Sequence, residues 1–472
     1  MFIDVNSYKN LSCDSDMINA AILEGAETGK FVIIPKINMR TGKARWDITK
    51  TIVLKDNVTL ILNNCHLRMG DGAVCKLMVN ENYELPWTEE NKNRNITVKG
   101  IGNALIDGGI HSGIYEKNGI ARKVPQKTEY HPTENCTLFF KNVENMVVEG
   151  IHIKNHRYWG LLFMKASFSR VSNIRFSSDG NVPNQDGVDL VRGCHDMIVE
   201  NITGCTGDNL VALCAMGKLG NGIEKPEEGD IYNITIRNIM GHGISGCSLI
   251  RLLNHDGYKI YNIRIDNVIE TSPWSENDAG VAPNPDLMIK TDENGEIIPW
   301  KKLVPGERGY RLEAAIIIGE SYWFSEKMAE HGDTYGISIS NVMTHARFAV
   351  WVNNTLTDSC FDNIRVFGNG HIAAYFGKGQ VENVRFSNIS YDRNTKPLPS
   401  DEHIYIEWND TTAEGYSVIY FNGTKVKDVT FENLNCGKFI DCVAKGFGEG
   451  EISLKSVKTD KKLSDLKGIN VI

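Results

Sequence analysis

The chain predicts an all-β fold: a single-stranded right-handed parallel β-helix, or β-solenoid, with an N-terminal capping helix. Three observations carry this expectation. A short pattern closed by Asn or Gly recurs along the chain, and its apolar positions alternate with a period of two rather than following the i, i+3, i+4 rule of helical repeats. The length, 472 residues, exceeds one ordinary globular core, a limit that stacked repeats escape.

Clear copies of the pattern are Met197-Ile-Val-Glu-Asn201-Ile202, Ile234-Thr-Ile-Arg-Asn238-Ile239, Ile263-Arg-Ile-Asp-Asn267-Val268, Ile337-Ser-Ile-Ser-Asn341-Val342, Val384-Arg-Phe-Ser-Asn388-Ile389 and Val429-Thr-Phe-Glu-Asn433-Leu434. Val148-Glu-Gly150-Ile151 and Ile174-Arg-Phe-Ser-Ser178 are weaker copies. With the Asn slot as ruler, the steps from 150 through 178, 201, 238 and 267 are 28, 23, 37 and 29 residues. Periods of roughly 20 to 50 residues mark stacked units. Each unit has too little apolar surface to fold alone, and its Asn tolerates the left-handed backbone of a tight turn. Stacking coils about 4.8 Å apart buries the remaining face.

A solenoid needs capped ends. Residues 14–28, DSDMINAAILEGAET, read as an amphipathic helix with Asp14 or Ser15 as N-cap and Gly29 as stop. Strands begin at Ile34-Pro35, Thr51-Ile-Val-Leu and Val58-Thr-Leu-Ile-Leu. The stretch 272–310, with five prolines and no repeat, reads as a long loop insertion. The domain expectation is therefore one β-helix over 1–472, interrupted by that insertion.

Composition narrows the function. Hydrophobic residues are 41% and charged residues 23%, with 44 Gly and 13 Pro, which excludes disordered, collagen-like and coiled-coil chains. A net charge of −8 argues against non-specific nucleic-acid binding, which needs a basic face. The first residues lack the basic and apolar regions of a secretory leader, and no stretch approaches the roughly 18 apolar residues of a membrane span. Eleven cysteines, odd in number and never spaced C-x-x-C, read as reduced thiols. A cytoplasmic location is the expectation.

Three clusters carry chemistry: Asn184-Gln185-Asp186-Gly187-Val188-Asp189, Gly207-Asp208-Asn209 and Gly241-His242-Gly243. Asp186 follows the slot at 178 by eight residues, Asp208 follows Asn201 by seven and His242 follows Asn238 by four. Successive coils should bring them to one side, with the two aspartates about 5 Å apart. Repulsion between stacked carboxylates makes one hold a proton while the other stays ionised, and a histidine can tune the pair. That arrangement suits glycoside hydrolysis. The competing reading, an Asp serving its own turn, is common beside Gly.

The motifs resemble the polygalacturonase-like family 28 of glycoside hydrolases, a branch of the pectin lyase-like β-helix superfamily. The family pattern Asn-Thr-Asp-Gly, Gly-Asp-Asp, Gly-His-Gly is matched here at 184–187, 207–209 and 241–243, and Ile33-Ile34-Pro35 and Ile106-Asp107-Gly108-Gly109 are similar to its opening coils. The resemblance implies that Asp208 is the general acid and Asp186 a base in an inverting displacement, with His242 assisting. The family's third carboxylate is replaced by Asn209, whose amide is only a neutral acceptor toward water. Three readings follow: Asp186 suffices as base, the natural chain is inactive, or the substitution is engineered. The family's Arg-Ile-Lys motif, which binds a uronate carboxylate, has no clear match; Lys290, Arg311 and Arg251 are the candidate cations.

Gln185, Asp189, Arg251 and Arg311 complete the expected substrate-binding set together with Tyr158 and Trp159, which should lie one coil below Asp186 and offer a face for a sugar ring. Tyr322, Trp323 and His345 are further cleft candidates, while His66, His195 and His371 read as coil or turn residues. No cofactor or metal is expected. The expected partner is an oligosaccharide or polysaccharide substrate, with no nucleic acid or membrane, and the oligomeric state is left open. Pectin-type oligosaccharides and exo-action lead; a β-helix lyase or epimerase and a catalytically impaired carbohydrate-binding protein stand as alternatives.

Overall fold

The computed structural model describes residues 2–70, 73, 75–109, 136–178, 184–216, 229–243, 247–272, 312–319, 327–392, 402–406 and 411–472, with the backbone alone of the short strands Tyr115–Lys117, Ile120–Arg122, Lys290–Thr291 and Ile297–Ile298. Two compact units divide the chain. One comprises Met1–Leu210 with Leu219–Lys225 and Pro283–Lys302; the other comprises Val211–Lys218, Pro226–Ala282 and Leu303–Ile472.

In the first unit the alternating pattern becomes a column of stacked side chains. Val32, Leu60, Val98, Val148, Val171 and Val199 pair in parallel register on successive coils, and all are fully buried. Each such side chain taken from water contributes roughly 1.5–3 kcal/mol. The helix Asp14–Thr28 closes the start of this unit and buries Met17, Ile18, Ala21 and Ile22. Its Asn19 accepts from the Val53 amide at 2.9 Å and donates to the Thr51 carbonyl at 3.0 Å, which ties the helix to the strand Ile52–Leu54.

The helix bounds agree with the sequence, and Gly29 takes the left-handed stop at φ 67°. The N-cap differs. Cys13 holds that position without a side-chain bond. Asp14 instead is fully buried, pairs with Arg40 at 2.6 Å and accepts from the Asp47 amide at 2.7 Å. A long-range ion pair outcompetes the local cap.

In the second unit the column runs Ile236, Ile265, Ile339, Phe361, Phe386 and Phe431. The rings of Phe361 and Phe386 stack 4.1 Å apart. Asn201, Asn238, Asn267, Asn341, Asn388 and Asn433 all adopt φ between 55° and 58°, as a turn slot requires. Their amides link coils: Asn267 donates to Asn238 at 2.9 Å, Asn363 to Asn341 at 2.7 Å and Asn433 to Asn388 at 3.2 Å. One slot differs from the pattern. The residue that stacks under Asn201 is Asn173, 28 positions earlier and bonded to it at 3.0 Å, and not Ser178. All eleven cysteines are free thiols. Among the described residues no helix is long and apolar enough to cross a membrane.

Candidate active site

The first unit assembles the site from two turns on consecutive coils. Beneath them runs the strand Leu161–Ser167, whose Leu161 and Leu162 pair with Val188 and Asp189 of the strand Val188–Val191. Gly160 donates to the Asp186 carbonyl at 2.9 Å, so Trp159 lies on the coil below Asp186 as expected. Above, Gly187 and Val188 donate to the carbonyls of Asn209 and Leu210 at 2.9 and 3.0 Å. A Cβ on Gly187 would come within 2.4 Å of the Leu210 carbonyl oxygen; only glycine lets the turns approach this closely.

The coil neighbour of Asp186 is therefore Asn209. Its Nδ2 donates to Asp186 Oδ2 at 2.9 Å and to Asp208 Oδ1 at 2.8 Å. One amide nitrogen thus bridges both carboxylates, whose bonded oxygens are no farther apart than those two bonds laid end to end. Asp186 and Asn209 are buried, each 4% exposed, while Asp208 is partly exposed. An amide donor holds both acceptors in place, which a third carboxylate could not do without a shared proton.

Gln185 does not face a ligand. It is fully buried, its Nε2 donates to the His156 carbonyl at 2.8 Å, and its own carbonyl accepts from Gly207 and Asp208 at 3.0 and 3.2 Å. It fastens the two turns to the coil below. Tyr158 is likewise corrected: at 2% exposure and φ 47° it is core, and burial raises the proton affinity of its phenol. Trp159 is almost buried as well, at 9% exposure. Asp189 is 2% exposed and its Oδ2 has no hydrogen-bond partner, so it does not bind substrate directly. Burial first, then the charges of Asp186 and Asp208, push its carboxyl well above the usual carboxylate range.

The sequence reading missed His156 and Arg157. His156 is fully buried, sits 3.4 Å from Ser178 Oγ and packs edge-on against Phe176. Arg157 donates to the Gly108 carbonyl at 3.0 Å and so ties the Asp107-Gly108-Gly109 turn to this coil. Their direct continuity with Tyr158-Trp159 was the available signal.

His242 and Arg251 belong to the second unit. His242 ends the strand Ile231–Gly243, where its Nδ1 lies 3.3 Å from Thr271 Oγ1. Burial favours its neutral form, opposed by the charge of Glu270. Arg251 is half-buried on the strand Ser248–Asn254, in register with Ala212 and Ile317. His345 does not line a cleft: it is 4% exposed, with Nε2 3.0 Å from the Ser272 carbonyl and 3.7 Å from Glu270 Oε1. Arg311, Tyr322 and Trp323 lie outside the described residues, as does the Lys290 side chain. A separate surface hollow of about 580 Å³, lined by His331, Tyr335, Asp358, Glu382 and Asp428, contains none of the expected site residues.

In this first unit a parallel β-helix sets two carboxylates of adjacent turns on one bridging amide. Residues 43–273, just under half of the chain, match the family described as glycosyl hydrolases family 28. The match spans Asp186, Asp208, Asn209, His242 and Arg251. An exopolygalacturonase of Arabidopsis thaliana is 24% identical over 220 residues, 44% of this chain and 47% of that protein. An exo-poly-alpha-D-galacturonosidase of Dickeya chrysanthemi is 24% identical over 173 residues, 36% and 27% of the respective chains. The chain thus spans less than half the length of these relatives. A mutant tailspike protein of E. coli bacteriophage HK620, solved with a hexasaccharide, superposes with a TM-score of 0.50 at 12% identity, covering 99% of this chain and 78% of the tailspike; this likeness concerns the right-handed β-helix fold.

Proposed function

We propose that the protein is a polygalacturonase-like glycoside hydrolase that removes sugars from the end of pectin-type oligosaccharides. The carrying observation is the Asp186–Asn209–Asp208 bridge inside the family-matched segment. Asp208, the partly exposed member, protonates the departing glycosidic oxygen. Asp186 takes the proton of the attacking water, and Asn209 keeps both side chains aimed at one point.

Exo-action is supported by the names of two relatives, an exopolygalacturonase and an exo-poly-alpha-D-galacturonosidase.

The test is incubation with galacturonan and with short galacturonate oligomers, followed by product sizing and by proton resonance at early times. Monomer release with the inverted anomer is expected. The retained anomer would assign a double displacement through a covalent intermediate. An unsaturated product would identify a lyase.

A further inference from the structure

Asp189 is a carboxyl that no step above uses. It stands on the strand Val188–Val191, on the same turn-and-strand segment as Asp186, and its Oδ2 is buried without a hydrogen-bond partner. Among the described residues, the titratable groups whose charge reaches it are Asp186 and Asp208. Asn209, on the bridging turn, is uncharged, and on the coil beneath, Leu162 stands in register and brings no charge. An ionised carboxylate there would lose its hydration, gain no cation among the described residues and meet like charge, and every one of those conditions favours the neutral acid.

We propose, resting on the glycosidase reading, that Asp189 is a positioning residue: an uncharged carboxyl packed behind the Asp186–Asn209–Asp208 bridge, whose ionisation would drive the two carboxylates off their shared amide. Uncharged, it leaves the acid Asp208 and the base Asp186 on their shared amide. Ionised, it would add a negative charge in a buried space and spread the acid and base apart. The consequence is an alkaline limit on turnover that belongs to Asp189 and to neither of the reacting aspartates.

The experiment has two arms on the full chain. Infrared spectroscopy at neutral pH should show the stretch of a protonated carboxyl that shifts on deuterium exchange and disappears in Asp189→Asn. A wild-type spectrum without that band overturns the proposal whether or not any glycan is hydrolysed. In the kinetic arm, Asp189→Asn should lower kcat by up to about tenfold with KM held, while extending the alkaline limb of the pH profile by about one unit or more. An alkaline limb unchanged from wild type overturns the positioning role, as does a loss beyond ~10²-fold at every pH in a folded variant, which would mean that the ionised form is needed. If Asp189→Asn does not fold, carbon-13 labelling of aspartate carboxyls decides: one resonance should stay in its protonated position from mildly acidic to neutral pH, and its absence overturns the proposal. The band present in a chain that hydrolyses no glycan would retire the glycosidase reading and uphold the uncharged carboxyl.

Discussion

Asn209 Nδ2 lies 2.9 Å from Asp186 Oδ2, and the same nitrogen reaches Asp208. The residue that departs from the family pattern is thus the one that joins the two remaining carboxylates. Its effect is opposite in sign to that of the aspartate it replaces, because a donor between two acceptors holds them together, whereas a third acceptor requires a shared proton.

Replacing Asn209 by Asp should therefore change activity and stability in different directions. A third carboxylate gives the water a second anchor, and hydrolysis at mildly acidic pH should rise by ~10²-fold. Its proton affinity in the folded state would exceed that in the unfolded chain, so stability is lost as pH rises above the ordinary carboxylate range. Unfolding midpoints of the variant should drop between mildly acidic and neutral pH relative to wild type. A variant equally stable at both would show that the amide bridge is dispensable.

Asp208→Asn should leave the fold intact, since an amide oxygen can still accept from Asn209. Hydrolysis should fall by ~10²–10⁴-fold, the usual worth of a general acid. Turnover close to wild type would move the acid to another residue.

Gln185→Ala removes the donor that satisfies the His156 carbonyl and the side chain against which Gly207 packs. A loss of about 1–3 kcal/mol is expected for the unsatisfied buried group, read by chemical denaturation. Turnover should fall less than stability, because the Gly207 and Asp208 amides hang from the Gln185 backbone carbonyl, which alanine keeps.

The burial of Asp189 gives a signed stability test. Its folded carboxyl binds protons more tightly than the ordinary value of 3.8, so the folded chain pays a penalty that grows as pH rises above that value. Asp189→Asn should stabilise the protein at neutral pH and change little near pH 4. Equal effects at both values would contradict an uncharged Asp189.

His242 is held toward its neutral form by burial, below its ordinary value of 6.5. The unfolded chain then binds the proton more tightly, and stability falls as pH drops through that value. His242→Ala should flatten this part of the acid-side stability curve and reduce turnover. Normal turnover with a large loss of stability would make His242 a structural residue.

What the sequence determined by itself was the part of the fold that repeats. Alternation of apolar residues sets the inward column, and Asn201, Asn238, Asn267, Asn341, Asn388 and Asn433 could be placed in left-handed turns because few other residues adopt them cheaply. The helix at 14–28 was legible for the same local reason, as were the two carboxylate turns. The tertiary structure alone decided who touches whom between coils. Asn173, and not Ser178, stacks under Asn201 because register is a property of paired strands, and Asp14 left its cap for Arg40. Tyr158, Gln185 and Asp189 looked available on a bare coil, yet neighbouring segments cover them, and burial depends on chain distant in sequence. The bridge from Asn209 to both aspartates arose in the same way: coil stacking sets two turns about 4.8 Å apart, and at that spacing a single amide spans the gap.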